Sequence, residues 1–387
     1  MTPEETAGGT LTCPTCQSTV TAGERFCEAC GADLGVPEEA ASAAQAAPAA
    51  QAASADAPLP DGAPAAPAPP PDPAAPAAAE DAATRACHEC GGEVADDGYC
   101  TQCGARAPSE RNHYGEQPAP WVAAVCDRGI RHHRNEDAVA LAAGPEGAGQ
   151  AVLVVCDGVS SSTDSDVASL AAARAARDVL ARPAPQGAGT VATRIATSTK
   201  ALVLAADAAN DAVIANTTAG PGNPASCTFV AAVVDLPELV VGWVGDSRAY
   251  WLPDGGEPRL LSTDDSFAAE QIAAGVPRAT AESGPQAHAI TRWLGVDAPD
   301  HTPRTVSLDL DGPGWVLVCS DGLWNYCSEP GDLAALVATT SREASDEPLA
   351  LAGALVDWAN AQGGQDNVTV ALARVGATPP EASAPPD

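Results

Sequence analysis

The sequence predicts an α+β domain built as a four-layer α/β/β/α sandwich. Two Ala-rich stretches, residues 166–180 and 191–214, carry apolar residues at helical spacing and predict two long helices. Short apolar runs separated by turn residues, including Pro237-Glu238, predict strands at residues 229–234, 239–244 and 249–252. Because strands and long helical stretches do not alternate strictly, the pattern favours stacked layers over a parallel βαβ arrangement.

Cysteine pairs near the start of the chain predict two small metal-stabilised units. Two pairs can present four thiolates tetrahedrally to Zn²⁺, and units of about 20 residues need the metal for most of their folding energy. Neither a signal peptide nor a βαβ pattern accompanies them, which argues against disulfides and against a redox Cys-x-x-Cys. We therefore predict two structural zinc ions in two zinc ribbons, residues 8–35 and 85–107. Their ligands would be Cys13, Cys16, Cys27 and Cys30 in the first and Cys87, Cys90, Cys100 and Cys103 in the second.

The segment between the two ribbons, residues 36–84, consists almost entirely of Ala, Pro, Asp, Glu and Gln. Such a composition cannot bury enough apolar surface to fold, so we predict a disordered Ala/Pro-rich linker. Residues 377–387 have a similar composition and are predicted to be a disordered tail. The sandwich domain is expected to span residues 118–376.

Short acidic motifs follow one another along the predicted domain, and the clearest two come directly after apolar runs at residues 151–156 and 315–319. A carboxylate at the end of a buried strand is unfavourable unless a cation meets it. Several such carboxylates would repel one another without a shared metal, and all-oxygen ligands suit Mg²⁺ or Mn²⁺. Each motif alone is also a common turn sequence. The motifs are Asn135-Glu136-Asp137, Asp157-Gly158, Gly245-Asp246-Ser247-Arg248, Ser320-Asp321-Gly322 and Gly364-Gln365-Asp366-Asn367.

In this order and spacing the motifs resemble the metal-dependent protein serine/threonine phosphatases of the PP2C (PPM) family. The resemblance covers residues 121–375, and its most specific parts are residues 320–324 (SDGLW) and 365–370 (QDNVTV). It implies two antiparallel sheets between pairs of helices, with Mn²⁺ or Mg²⁺ ions in a cleft at one edge. The implied activity is hydrolysis of phosphoserine and phosphothreonine in proteins by a metal-activated water at a binuclear centre, in opposition to a protein kinase.

The resemblance also assigns roles to individual residues. Asp157 would bridge two ions, with the Gly158 carbonyl binding one of them, and Asp321 and Asp366 would bind the first ion. Asp246 matches a residue that binds a third, weaker ion in some relatives, together with Asp321. Glu136 and Asp137 complete the catalytic set, since they would hold metal-bound waters, and Asn367 would orient Asp366.

The chain departs from the family pattern around the phosphate. The family usually places a phosphate-binding Arg four residues before the Glu of Asn-Glu-Asp, where this chain has His132 between Arg131 and Arg134. A guanidinium group suits bidentate phosphate binding, so we predict that one of the two binds phosphate, with Arg131 slightly favoured. The alternative is that both are surface residues of a strand, in which His132, Arg134 and Glu136 would share a face.

Two further departures concern neighbouring positions. Val159 follows Asp157-Gly158 and cannot donate a proton to the leaving group, so a water, His132 or His133 would have to do so. Asp265 stands where relatives often carry His, before a segment of residues 266–288 that would form a mobile flap.

Composition restricts the partners. The net charge is −32 and Lys200 is the only lysine, which argues against nucleic acid and anionic membranes as partners. No apolar run approaches the roughly 20 residues that a membrane span needs. We therefore expect a cytoplasmic protein that acts on phosphorylated proteins, with a cognate kinase as a further partner. The five cysteines outside the ribbons are expected to be small core residues.

Two other functions stay open from the sequence. The altered surroundings of the phosphate and of Asp157-Gly158 would also suit a catalytically weak phosphatase fold that serves as a signalling module. Alternatively, the zinc ribbons could make the protein mainly an adaptor that docks to partners.

Overall fold

The computed structural model describes residues 10–12, 19–21, 90, 92–95, 99–104, 109–144, 149–182, 189–218, 220, 223–282, 284, 286–287 and 289–376. The chain divides into two units, residues 1–85 and residues 86–387. In the first unit, β1 (Thr10–Thr12) pairs with β2 (Thr19–Thr21) in an antiparallel hairpin. The predicted linker and tail, residues 36–84 and 377–387, lie outside the described residues.

In the described part of the second unit, thirteen strands form two large antiparallel sheets and one small one. The strands are β3 (His113–Ala119), β4 (Val122–Asp127), β5 (Ala138–Ala143), β6 (Gln150–Cys156), β7 (Ser226–Cys227), β8 (Phe229–Asp235), β9 (Glu238–Val244), β10 (Arg248–Pro253), β11 (Arg259–Leu260), β12 (Leu294–Gly295), β13 (Arg304–Asp309), β14 (Gly314–Cys319) and β15 (Val368–Val375). The six-stranded sheet has the spatial order β11-β10-β14-β15-β4-β3, and the five-stranded sheet has the order β13-β9-β8-β6-β5. Strands β12 and β7 pair separately.

Among the residues that the structure describes, seven α-helices accompany these strands: α1 (Ser165–Leu180), α2 (Val191–Ala215), α3 (Phe267–Ala273), α4 (Arg278–Glu282), α5 (Asp321–Trp324), α6 (Pro330–Glu343) and α7 (Pro348–Gln362). The first long pair has Ala-rich sequences, and Thr190 caps α2 by accepting a hydrogen bond from the Thr193 backbone N–H. Helices α6 and α7 begin with proline, whose missing N–H is not needed in the first turn.

The two large sheets pack face to face, and helices cover their outer faces. One apolar cluster lies between the sheets. A second joins α1 and α2 to the five-stranded sheet, and a third joins α6 and α7 to the six-stranded sheet. The predicted α/β/β/α sandwich is therefore confirmed.

Central strands are apolar along their whole length because both of their faces are buried. In β6, Leu153 and Val155 point between the sheets, whereas Val154 and Cys156 face the helices. Predicted boundaries hold to within a few residues. The turn expected at Pro237-Glu238 lies one residue earlier, at Leu236-Pro237, because Glu238 already pairs with Asp235 and Asp309.

Antiparallel register brings distant parts of the sequence to one edge of the sandwich. Ala138, the first residue of β5, pairs with Cys156, the last of β6. Cys319, the last residue of β14, lies between Arg248 at the start of β10 and Val370 of β15. The residues just outside these strand ends, which include all the acidic motifs, therefore meet at the same edge.

No helix of the described residues is long and apolar enough to cross a membrane.

Candidate active site

Asp157 follows β6 and is fixed through its backbone. Its N–H donates to Thr228 Oγ1 at 3.0 Å, and its carbonyl accepts from the Thr228 N–H at 2.7 Å. The Thr228 hydroxyl also lies 2.7 Å from the Ser247 hydroxyl, in the turn that carries Asp246. This chain of contacts links the end of β6 to the turn between β9 and β10, and the sequence motifs did not reveal Thr228 as its centre.

The buried Asp137 and the half-buried Asp321 each have one carboxylate oxygen that accepts a hydrogen bond and one that does not. Asp137 Oδ2 accepts hydrogen bonds from the hydroxyls of Ser320 at 2.6 Å and Thr369 at 2.7 Å. Asp321 Oδ2 accepts from the Asn325 side-chain amide at 3.0 Å. The other oxygen of each, Oδ1, is buried and has no hydrogen-bond partner among the described residues. A buried carboxylate oxygen without a donor is what a metal ligand offers before it binds a cation.

Asp366 and Asn367 lie in the loop before β15. The Asn367 backbone N–H donates to Asp366 Oδ1 at 2.8 Å. The Asn367 side chain accepts from the Glu136 backbone N–H at 2.7 Å and donates to the carbonyls of Arg128 and Arg134. Asn367 therefore connects this loop to residues 128–136, and its backbone gives Asp366 a defined orientation.

The aspartates of the site are electrostatically coupled. Burial raises the pKa of Asp157 well above its usual range, and the charges of Asp137, Asp321, Asp366 and Asp246 raise it further. The pKa of Asp321 is raised in the same way, first by burial and then by Asp366 and Asp246. Burial also raises the pKa of Asp137 to about 6 and that of Asp246 to about 7. A divalent cation would relieve this mutual repulsion.

The donor set fits hard cations such as Mn²⁺ and Mg²⁺, because every candidate ligand atom is an oxygen and Asp321 Oδ1 is buried without a partner among the described residues. In the described part of the chain, no three carboxylates bring one oxygen each within 4.8 Å of one another. An octahedral ion with bonds of about 2.1 Å needs its ligand oxygens closer than this.

Glu136 is a buried carboxylate surrounded by donors. Its Oε1 accepts from Arg134 Nη2 at 2.7 Å and from the Ser165 hydroxyl of α1 at 2.7 Å, while Oε2 accepts from the Ser160 hydroxyl at 2.8 Å. Burial would raise the pKa of Glu136, but the hydrogen bonds from His132, Ser165, Ser160 and Arg134 lower it to about 2. Glu136 is therefore a fixed anion beside the aspartates.

The two arginines shortly before Glu136, Arg131 and Arg134, have different surroundings. Arg134 donates to Glu136 and also to the Ser162 carbonyl and the Ser165 hydroxyl. Arg131 is exposed, and its guanidinium has no contact with the described residues, although its backbone N–H donates to the Gly364 carbonyl at 3.0 Å. The segment is a loop that precedes β5, so the strand alternation used in the sequence argument does not apply to it.

His132 lies between two carboxylates. Its Nδ1 is 3.4 Å from Glu136 Oε2, and its Nε2 is 3.2 Å from Asp366 Oδ1. The contact with Glu136 raises the pKa of His132, against the effect of partial burial, and the charge of Asp366 adds to the increase. Both contacts together use both ring nitrogens as donors, as in the imidazolium form.

The Asp246 turn is held from several sides. The Asp246 carbonyl accepts from the indole N–H of Trp324, in the same short helix as Asp321, at 2.9 Å. Arg248, two residues after Asp246, pairs with Asp264, because its guanidinium donates to both Asp264 carboxylate oxygens at 2.9 and 2.6 Å. Arg248 also stacks on the Trp324 ring, 3.6 Å from its centroid.

Asp265 is an anchor at the start of the predicted flap segment. Its side chain is fully buried and contacts Arg292 at 3.3 Å and Arg304 at 2.8 Å. Its Oδ2 accepts from the Gly245 N–H, next to Asp246, and its N–H donates to the Gly245 carbonyl. Asp265, where relatives often carry His, therefore supports the turn that contains Asp246 through these bonds to Gly245.

Three cysteines of the predicted second ribbon form a separate cluster. The sulfur atoms of Cys90, Cys100 and Cys103 lie within 4.8 Å of one another. Backbone N–H groups of Cys103 and Gln102 donate to the Cys100 sulfur and lower its pKa to about 6. Cys87 and the four cysteines predicted for the first ribbon, Cys13, Cys16, Cys27 and Cys30, lie outside the described residues.

The α/β/β/α sandwich and the coupled carboxylates at its edge both agree with the class of protein that the sequence motifs resemble, the metal-dependent phosphatases. A family model described as Protein phosphatase 2C matches residues 129–359. This match covers more than half of the chain, so the protein belongs to the protein phosphatase 2C family. It is a protein phosphatase.

Individual relatives agree with this assignment. The serine/threonine phosphatase stp of Listeria welshimeri is 28% identical over 252 residues, which cover 64% of this chain and 92% of that protein. The structure of the S. agalactiae serine/threonine phosphatase is similar with a TM-score of 0.53 and 25% identity, covering 67% of this chain and 98% of the other. The Mycobacterium tuberculosis phosphatase PstP/Ppp gives a TM-score of 0.51 and 26% identity, with 66% and 98% covered.

Proposed function

We propose that the protein hydrolyses phosphoserine and phosphothreonine esters in proteins with the help of two Mn²⁺ or Mg²⁺ ions. The observation that carries this proposal is the group of buried and half-buried, mutually repelling aspartates at one sandwich edge, in which Asp137 Oδ1 and Asp321 Oδ1 have no hydrogen-bond partner among the described residues. Relatives named serine/threonine phosphatases support the substrate class.

Asp157, the Gly158 carbonyl, Asp321 and Asp366 would hold the two ions, and Asp246 with Asp321 would hold a weaker third one. When bound, such ions acidify a coordinated water and neutralise charge on the phosphoryl oxygens. Gly158 is required by the backbone here, because a Cβ atom at this position would lie 2.7 Å from the Glu136 carbonyl oxygen. The absence of a side chain at Gly158 lets the Asp157-Gly158 turn pack against the Glu136 backbone, in the loop before β5.

Glu136 and Asp137 would act as acceptors that keep waters in place beside the ions. The low pKa of Glu136 keeps it an acceptor at neutral pH, and Ser320 and Thr369 leave only one oxygen of Asp137 free to accept. Arg131 is the better candidate for binding the substrate phosphate, because its guanidinium is exposed and uncommitted while that of Arg134 is used by Glu136.

Removal and return of the metal tests this function. We expect the full-length chain, treated with EDTA and dialysed, to lose hydrolysis of a phosphothreonine peptide. Mn²⁺ should restore the activity. Ca²⁺ should not, because it forms longer bonds to oxygen and prefers a more flexible coordination geometry than a small octahedral ion does. Release of inorganic phosphate is the measurement. Activity that survives complete removal of divalent ions would contradict the proposal.

A phosphoprotein substrate has to be supplied by a reaction that transfers phosphate to serine or threonine, so we propose that the enzyme opposes a protein kinase. The alternatives of a weak signalling module or an adaptor are not favoured by any observation on the site. A catalytic site is supported instead by the strand register, which pairs the start of β5 with the end of β6 and the end of β14 with the start of β10.

We also propose that the second cysteine set binds one structural Zn²⁺ and that the ribbons, residues 8–35 and 85–107, precede a catalytic domain of residues 118–376. Three sulfur atoms are already close enough for one tetrahedral ion, and the low pKa of Cys100 favours the thiolate that zinc requires.

Zinc content checks the second ribbon. The substitution Cys100→Ser should lower the zinc in the purified full-length chain, measured by mass spectrometry, by about one ion per chain. Cys327→Ser is the matched control, because this mostly buried thiol lies outside the cluster and should leave zinc unchanged. Equal zinc in both variants and the wild type would exclude Cys100 as a ligand.

A further inference from the structure

His132 occupies the position where the family usually carries the phosphate-binding arginine, and its imidazole points at the metal site. Its Nε2 lies 3.2 Å from Asp366 Oδ1, and its Nδ1 lies 3.4 Å from Glu136 Oε2. The Arg128 side chain donates to the His132 carbonyl. The neighbouring Ile130 and Arg131 backbones both donate to the Gly364 carbonyl, so the loop holds the ring in this place.

The contact with His132 determines which carboxylate oxygen of Asp366 is available to bind a metal ion. Oδ1 receives the Asn367 backbone N–H at 2.8 Å in addition to His132 Nε2, whereas no described residue donates to Oδ2. The Asp366 side chain is 38% exposed, so hydrogen bonds rather than packing must fix its rotation. Without His132 a single backbone donor would remain.

We propose that His132 is a positioning residue for the metal centre. It holds the Asp366 side chain through Oδ1, so that Oδ2 stays available to bind a metal ion, and Arg131 binds the phosphate. This inference rests on the proposed function, because it takes Asp366 as a metal ligand. The usual arginine contributes to substrate binding, whereas His132 contributes to metal affinity. Donors that orient metal ligands typically change metal affinity by 10–100-fold when they are removed.

Isosteric substitutions separate the two contacts of the ring. The amide nitrogen of a glutamine falls near the position of Nε2, so His132→Gln keeps the contact with Asp366. The amide nitrogen of an asparagine falls near Nδ1, so His132→Asn keeps only the contact with Glu136. We expect Mn²⁺ binding to the full-length chain, measured by titration calorimetry without substrate, to weaken at least about tenfold in His132→Ala and His132→Asn. His132→Gln should bind Mn²⁺ within about threefold of the wild type.

Two control variants complete the experiment. His133→Ala removes the exposed neighbouring imidazole, which has no contact with the described residues, and should leave Mn²⁺ affinity unchanged. Arg131→Ala should raise KM for an aryl phosphate at saturating Mn²⁺ and leave Mn²⁺ affinity unchanged, whereas His132→Ala should leave KM within about twofold under the same conditions.

Unchanged Mn²⁺ affinity in His132→Ala would overturn the inference, whether or not KM rises, and a rise in KM alone would assign His132 to the phosphate. Equal loss of affinity in the Gln and Asn variants would also overturn it, because the Asp366 contact would then not matter. Failure of the proposed function looks different: the wild type itself would bind no Mn²⁺ and release no phosphate.

Discussion

Replacing Asp321 by Asn should abolish phosphatase activity and at the same time stabilise the metal-free protein. Asn has the same shape and still offers an oxygen to the Asn325 amide, but it removes a buried charge that Asp366, Asp246 and Asp137 repel. Loss of a metal ligand should lower kcat/KM on the order of 10³-fold, about 4 kcal/mol of transition-state stabilisation. The same substitution should raise the free energy of unfolding by about 1 kcal/mol or more in the presence of a chelator, as is common at active sites.

The pH dependence of this gain has a defined sign. Because the pKa of Asp321 is raised in the folded protein, ionisation costs stability above the ordinary Asp pKa of about 3.9, and the cost grows with pH up to the folded pKa. The advantage of Asp321→Asn should therefore be present at pH 7 and vanish near pH 3.5. Thermal unfolding in EDTA at the two pH values, together with phosphate release at pH 7 with Mn²⁺, measures both effects.

Asp311→Asn is the matched control, because Asp311 is exposed in the loop before β14 and has no contact with the described residues. It should leave both activity and stability unchanged. A lower unfolding temperature for Asp321→Asn in EDTA, accompanied by lost activity, would instead show that Asp321 mainly supports the fold. Retained activity would contradict its role as a metal ligand.

The sequence predicted the sandwich and the acidic edge because both depend on short-range patterns. An apolar run that ends in Asp-Gly, such as residues 151–158, encodes a buried strand and the turn after it. The helix from Val191 to Ala215 was located to within one residue, because Thr190 caps it and its Ala-rich sequence has no breaker. The family motifs then identified which acidic turns belong together.

Residues that hold the motifs in place could not be predicted in the same way. Thr369 and Ser320 share Asp137 Oδ2, and Ser165 reaches Glu136 from a helix 29 residues further along the chain. Small hydroxyl residues are common in any sequence, and their partners depend on three-dimensional packing. Ser320 and Thr369 do lie inside recognised motifs, which was the only available signal.

The backbone conformation of the loop before β5 could not be predicted from the sequence either. The alternative of a strand at residues 131–136 is not what the structure contains: Gly129 has a positive φ of 72°, and a Cβ there would lie 2.0 Å from the Asp366 carbonyl oxygen. This close approach and the bonds to Gly364 fix the loop from a segment more than 200 residues away. Local alternation therefore could not decide whether Arg131, His132 or Arg134 faces the substrate.

Replacing Arg248 by Met should destabilise the catalytic domain by about 3–5 kcal/mol, the largest stability loss that we expect from a side chain beside the site. Arg248 is 2% exposed, binds Asp264 through two nitrogens, donates to the Ser328 hydroxyl at 3.0 Å and stacks on Trp324. Met fills a similar volume but leaves the carboxylate of Asp264, 10% exposed, without its cation. At about 2–4 °C per kcal/mol for a domain of this size, the unfolding temperature should fall by roughly 10 °C.

The double variant Arg248→Met with Asp264→Asn separates two costs: the loss of the Arg248 contacts and the burial of an unpaired Asp264 carboxylate. If most of the cost is the unpaired Asp264, the double variant should regain more than half of the lost stability, a strong coupling in a double-mutant cycle. Arg174→Met is the control, because Arg174 is exposed on α1 and forms no hydrogen bond or ion pair with another described residue. It should change stability by no more than about 0.5 kcal/mol. If Arg248→Met lowered the free energy of unfolding as little as Arg174→Met, the buried Arg248–Asp264 pair would not stabilise the turn that contains Asp246. The proposed support of Asp246 by Arg248 through Trp324 would then be wrong.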